Sequence, residues 1–182
     1  MNNQSISISR NALNTAIPVG GALILLSVLF YVFDVEPRSY WTYLTYVVLV
    51  AGMIWGTVTL RNKHHNGDFS YGNAFLSCLL IGTFSAIISN IYSFIFYKYI
   101  APEQIGKLME IAEEQTLERA PQLTDEQLEA AMSMSEKFMT PLGISIFALF
   151  SIIIISLVLA LILAIFLKKN ATAKQVFANI EE

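Results

Sequence analysis

Four long apolar stretches alternate with polar ones along the chain: about Ala12 to Phe33, Tyr40 to Leu60, Ala74 to Tyr97 and Leu142 to Leu167. Each exceeds the roughly 20 residues needed to cross about 30 Å of hydrocarbon at about 1.5 Å per residue. None contains Asp, Glu, Lys, Arg or His. Buried helices of water-soluble domains rarely run so long without a charge, so the pattern predicts four membrane spans. The first is read as a retained span rather than a cleaved signal peptide. Its apolar run outlasts the usual roughly 7–15 residues, and Phe30-Tyr31-Val32-Phe33 offers no small-residue cleavage site.

Residues 101–140 follow a different pattern. Pro102 suits the first turn of a helix, and Glu103 to Arg119 then carries Ile105, Leu108, Met109 and Ala112 on one stripe. Pro121 ends that helix, and Thr124-Asp125-Glu126-Gln127 has the spacing of a capping box that starts another. The second helix places Leu128, Ala131, Met132, Ser135 and Met139 on one face. Thr140 and Pro141 resemble a cap and first turn for the last span. The expected fold is therefore an all-α integral membrane four-helix bundle. It forms one domain over residues 1–182, with an amphipathic helix pair between spans three and four and a polar cytoplasmic tail over 168–182.

Composition agrees with this reading. The chain is 55% hydrophobic and only 14% charged, against about 45–50% and about 25% in soluble domains. The net charge is −3, and with no basic stripe to neutralise phosphates no nucleic-acid partner is expected. Cys78 is the sole cysteine, so no intrachain disulfide can form. It lies in an apolar run, where a thiol acts as a small hydrophobe.

Charge placement also bears on orientation. With both termini in the cytoplasm, that side receives Arg10, Arg61, Lys63, Lys168, Lys169 and Lys174. The other side receives Arg38, Lys98, Lys107, Arg119 and Lys137. The margin by number is thin, but four of the inner positives sit right at span ends, so this orientation is the expected one, in the cell inner membrane. Phe30, Tyr31, Phe33, Tyr40, Trp41, Tyr43, Tyr92, Tyr97 and Tyr99 form an outer aromatic belt, and Trp55 lies toward the inner end of span two. From Asn73 to Ile100 nothing breaks a helix, which makes span three longer than the bilayer. Its far end is expected to stand out of the membrane rather than the whole span to tilt.

Helices in lipid associate through close approach at small residues. Gly52-Met53-Ile54-Trp55-Gly56 supplies one such spacing; Gly82, Ala86 and Asn90 supply a second, and Ser156, Ala160 and Ala164 a third. These read as packing within the bundle, with a dimerisation face as the alternative. Pro18 is expected to bend span one. Asn90, flanked by Ser89 and Ser93, is the most polar side chain inside span three. It is expected to bond to a neighbouring helix, with a polar solute pathway as the alternative.

Catalytic and ion-coupled membrane proteins place ionisable groups inside the bundle. These spans have none, and the chain carries no phosphate-binding Gly-rich loop, no HExxH and no CxxC. The expectation is a protein that is not an enzyme, with no catalytic residue, cofactor or metal site. His64-His65 with Asp68 is read as a solvated loop, since a metal needs a third or fourth converging ligand. Asp34, Glu36 and Arg38 are read as a local ion network in the first outer turn.

The run Gly67-Asp68-Phe69-Ser70-Tyr71-Gly72-Asn73-Ala74-Phe75 resembles the loop-to-helix entrance of a family of bacterial four-span membrane proteins. That family is known only as domain of unknown function forty-one ninety-nine and occurs mainly in the Bacteroidota. Tyr92 to Tyr99 followed by Ile100-Ala101-Pro102, and the acidic, Met-bearing insert, are similar to it as well. The likeness covers roughly residues 10–168. It implies a four-helix inner-membrane bundle without an assigned activity, and it supplies no functional residues. Physically, Phe69 and Tyr71 would insert at the interface while Ser70 caps the entering helix.

The helix pair holds nine acids (Glu103, Glu110, Glu113, Glu114, Glu118, Asp125, Glu126, Glu129 and Glu136) against the bases Lys107, Arg119 and Lys137. Membrane-surface helices carry the opposite sign, so the pair is expected to cap the bundle or to dock a partner. The leading functional reading is a non-catalytic assembly or scaffold protein that contacts a protein partner or a second copy through Leu108, Met109, Leu128 and Met132. The alternative is a lipid- or small-molecule-binding or passive transport bundle, with Asn90 and the serines of span three lining a cavity. A membrane enzyme would need carboxylates of the insert, such as Glu113, Glu114 and Glu118.

Overall fold

The computed structural model describes residues 7–64 and 69–169. Its helices are α1 (Ile8–Val32), α2 (Leu44–His64), α3 (Tyr71–Ile95), α4 (Gln104–Arg119), α5 (Asp125–Phe138) and α6 (Pro141–Leu167). A 3₁₀ turn, Tyr40–Tyr43, leads into α2, and a π-helical turn, Phe96–Ile100, extends α3. Four helical stretches are long and apolar enough to cross a membrane: α1, α2 with its lead-in, α3 with its extension, and α6. The chain is an all-α, multi-pass membrane protein.

Local chemistry sets the element ends. The Ser7 hydroxyl accepts the Arg10 N–H at 3.3 Å and starts α1, which then continues through Pro18. After Val32 the Val35 N–H reaches the Phe30 carbonyl at 2.8 Å and the Asp34 N–H reaches Tyr31 at 3.1 Å. Asp34 sits at φ 48°, so this is a Schellman turn with aspartate where glycine is usual. Ser70 caps α3 by accepting the Asn73 N–H at 3.3 Å. At Thr124 both arms of the capping box form: the Gln127 N–H to the threonine hydroxyl, and the Thr124 N–H to the Gln127 side chain. Thr140 accepts the Gly143 N–H and starts α6.

Two compact units divide the chain, Met1–Ser89 with Ser151–Glu182 as the first and Asn90–Phe150 as the second. All four spans contribute to the first. Its core holds Ala12, Val19, Leu49, Met53, Cys78, Ile81, Ala160 and Ala164. The small residues face inward. A side chain on Gly52 would meet Val19 of α1, one on Gly56 would meet Thr15 and Ile81, and one on Gly82 would meet Met53 and Ser156. The GxxxG spacing of α2 is thus used within the chain, against α1, as ordinary bundle packing. Ser156, Ala160 and Ala164 are buried on α6, whereas Ile154, Leu161, Ile165 and Phe166 of the same helix are exposed. A helix apolar on every side that buries mainly small residues, with Leu167 at its end, presents these larger side chains to lipid.

One end of this unit is fastened by polar contacts. The Asn11 amide donates to the Gly56 carbonyl at 3.1 Å, and Arg61 donates to the Leu167 carbonyl at 3.1 Å. Phe69 and Lys169 exchange both backbone hydrogen bonds, at 2.6 and 2.8 Å. Phe69 itself is fully buried, which corrects the expectation that it inserts at the membrane interface. Its backbone pairs with Lys169, just past α6, and its ring belongs to the buried core. Tyr71 does stay partly exposed, with its hydroxyl donating to the Leu161 carbonyl at 3.3 Å.

The second unit contains the end of α3, the π-helical turn, α4, α5 and the first turns of α6. The unbroken helix expected to Ile100 changes pitch at Phe96, where the Ala101 N–H closes onto the Phe96 carbonyl. Phe96 is buried with its ring 5.8 Å from Tyr92 and 5.3 Å from Tyr97. Lys98 lies over the Phe94 and Tyr99 rings at 5.3 and 5.1 Å, which shields an ammonium that sits near the end of a span. α4 and α5 pack against one another as an antiparallel hairpin around Pro121.

Candidate functional site

The residues singled out in the sequence fall in the second unit. Leu108 and Met109 on α4, and Leu128 and Met132 on α5, are all half-buried. The two stripes are spent largely on the hairpin itself. All nine acids of the insert are exposed, as are Lys107, Arg119 and Lys137. What the hairpin offers to its surroundings is an acidic face, with Leu117, Met134 and Phe138 as its large exposed apolar side chains.

Between the hairpin and the start of α6 lies an open cavity of about 550 Å³. α4 lines it with Leu108, Ile111, Ala112 and Gln115, and the end of α5 with Ser135, Phe138 and Met139. α6 closes it with Ile144, Phe147 and Ala148. The Phe138 and Phe147 rings meet edge to face at 6.0 Å. Polar lining side chains are few: Ser135, whose hydroxyl is committed to the Ala131 carbonyl at 3.1 Å, and Gln115. Such a volume falls in the range of about 300–1,000 Å³ common to small-molecule sites. The wall lacks the precisely placed donors and acceptors that usually orient a polar ligand there.

Asn90 sits on the other side of α6. Its amide donates to the Ser145 carbonyl at 2.7 Å, so it bonds to a neighbouring helix. Ser145 in turn donates to the Pro141 carbonyl at 2.7 Å and is buried. A second cavity, of about 400 Å³, is lined there by Asn90, Phe94, Leu142, Ser145 and Leu149, among others. The serines of span three do not line it. Ser77 lies at 3.1 Å from Thr57, Ser89 bonds back to Ala86, and Ser85 is buried with no partner for its hydroxyl.

Sequence reasoning missed the cavity beside the hairpin and also the polar ties of the first unit. Asn11, Thr57 and Cys78 are among these, the last with its sulfur 3.3 Å from the Thr57 hydroxyl. Small polar residues at helical spacing on α1, α2 and α3 were the available signal. Among the described residues, no three His, Cys, Asp or Glu side chains gather where they could hold a metal. His65, Asp68, Lys174 and the tail beyond Lys169 lie outside the described residues.

The model of a family described as "Protein of unknown function (DUF4199)" matches residues 15–169. Neither a curated protein nor a solved structure matches the chain. The chain belongs to the DUF4199 family.

Proposed function

We propose that this member of the DUF4199 family is a non-catalytic assembly (scaffold) protein of the cell inner membrane, with both termini cytoplasmic, that engages a basic partner through its acidic helix pair. The observation that carries this reading is the hairpin's division of labour. Its apolar stripes are half-buried, while nine carboxylates point outward against three bases. A surface of one sign steers and selects a partner of the other sign more than it stabilises a fold. The charge-free spans support a role without chemistry inside the membrane. Arg10, Arg61, Lys168 and Lys169 near span ends support the orientation.

Affinity purification from the native membrane in lipid nanodiscs tests this. Wild type is compared with the triple variant Glu110→Lys, Glu113→Lys, Glu129→Lys. The expected result is a partner captured by wild type, released by high salt and absent from the variant. Equal capture by both proteins, or no partner on wild type, overturns the proposal.

A further inference from the structure

We infer that the cavity between α4, α5 and the first turns of α6 holds one acyl chain of a zwitterionic phospholipid, drawn from the surrounding leaflet. This is independent of the docking reading above, since it concerns the inner side of the hairpin rather than its acidic face.

Three observations converge. The first is the chemistry of the wall. Leu108, Ile111, Phe138, Met139, Ile144 and Phe147 surround about 550 Å³; the polar lining side chains are Gln115 and Ser135, and the serine hydroxyl is already committed to a backbone carbonyl. A ligand with many polar groups would bury them there without partners, so the occupant is plain hydrocarbon. The second is continuity with the membrane. Ile144, Phe147 and Ala148 belong to the first turns of α6, a helix long and apolar enough to cross a membrane and free of Asp, Glu, Lys, Arg and His throughout. The other face of the same turns lines the second apolar cavity, with Leu142, Ile146 and Leu149. Hydrocarbon therefore reaches the cavity along α6, and Phe147, 59% exposed, stands at that route. The third is charge. The hairpin that forms the opposite wall carries nine exposed acids against three bases. An anionic headgroup anchored beside it would be repelled, while a zwitterionic one presents its cation to the carboxylates.

Because α4 and α5 are too acidic to lie in hydrocarbon, contact between them and the middle of an acyl chain requires the chain to leave the bilayer core and enter the cavity. The wild-type protein is reconstituted in phosphatidylcholine vesicles that contain a trace of phosphatidylcholine bearing a mid-chain diazirine. After illumination the labelled residues are mapped by mass spectrometry. Label is expected on residues 108–115 and 135–139 as well as on the spans. It is expected to fall severalfold when the probe is phosphatidylglycerol. In Ala112→Trp, which fills the cavity, label on the hairpin is expected to drop severalfold while label on the spans persists. Label confined to the spans of wild type overturns the inference, as does equal labelling of the hairpin by the anionic probe. A dimer in native mass spectrometry whose contact protects residues 108–115 also overturns it, with a second copy as the occupant.

Discussion

At Asp34 the backbone enters the left-handed region, φ 48°, to close the turn after α1. A branched side chain there meets the full penalty of that conformation, about 1–2 kcal/mol. Asp34→Val is expected to lower the thermal midpoint of the protein in detergent; an unchanged midpoint in the valine variant would contradict the turn. Asn90 poses a different question at the same scale. Its bond to Ser145 joins two helices inside an apolar setting, a contact worth about 0.6–2 kcal/mol in membrane proteins. Asn90→Leu is expected to lose that amount in unfolding titrations in mixed micelles. If stability is unchanged, the amide contributes nothing between the helices. The need of Asn90 for a partner was legible in the sequence, because an amide in hydrocarbon must find one. The burial of Phe69 was not legible. An aromatic ring in a polar loop at a span end fits the interface equally well, and only the pairing with Lys169 decides the matter.

Elements repeat the lesson with more residues involved. Caps were readable because they are local: Thr124 with Gln127, Ser70 with Asn73, and Thr140 with Gly143 all form where the spacing placed them. The π-helical turn at Phe96–Ile100 was not readable. No breaker precedes it, and the feature that accompanies it is tertiary, the packing of Tyr92 and Tyr97 against Phe96. The amphipathic stripes of α4 and α5 were also plain in the sequence. Their partner was not, because a stripe specifies that something apolar covers it and not what does so. Between α1 and α2 the close approach at Gly52 and Gly56 leads to a direct expectation. Gly52→Leu would force Val19 aside and cost about 1–3 kcal/mol, the usual effect of overpacking. Stability in bicelles is expected to fall while the oligomeric state seen by native mass spectrometry stays the same. A switch from dimer to monomer would instead place that face between chains. At the α5–α6 corner, Gly143 faces the Phe138 carbonyl so closely that any side chain must displace backbone. Gly143→Ala is therefore expected to destabilise the second unit by a similar overpacking cost, about 1–3 kcal/mol, read as earlier proteolysis of the hairpin.

For the whole molecule, four spans return the chain to the side from which it set out, so α1's start and α6's end belong together. Orientation can be checked with cysteines. Cys78 is buried, and Cys78→Ser supplies a silent background. Ser133→Cys on the exposed face of α5 is expected to react with an impermeant maleimide added outside spheroplasts, and Ser7→Cys only after the membrane is breached. The reverse pattern would invert the topology.

The bridge between Phe69 and Lys169 fixes an order of events during synthesis. Phe69 leaves the ribosome before α3 does, yet its partner residue, Lys169, follows α6, the fourth of the described spans. Until then the first three spans wait in the bilayer with the Phe69 backbone unbridged. The fourth span therefore acts as a latch of biogenesis, and a nascent chain interrupted before it presents to quality-control machinery a backbone edge that the bridge otherwise pairs.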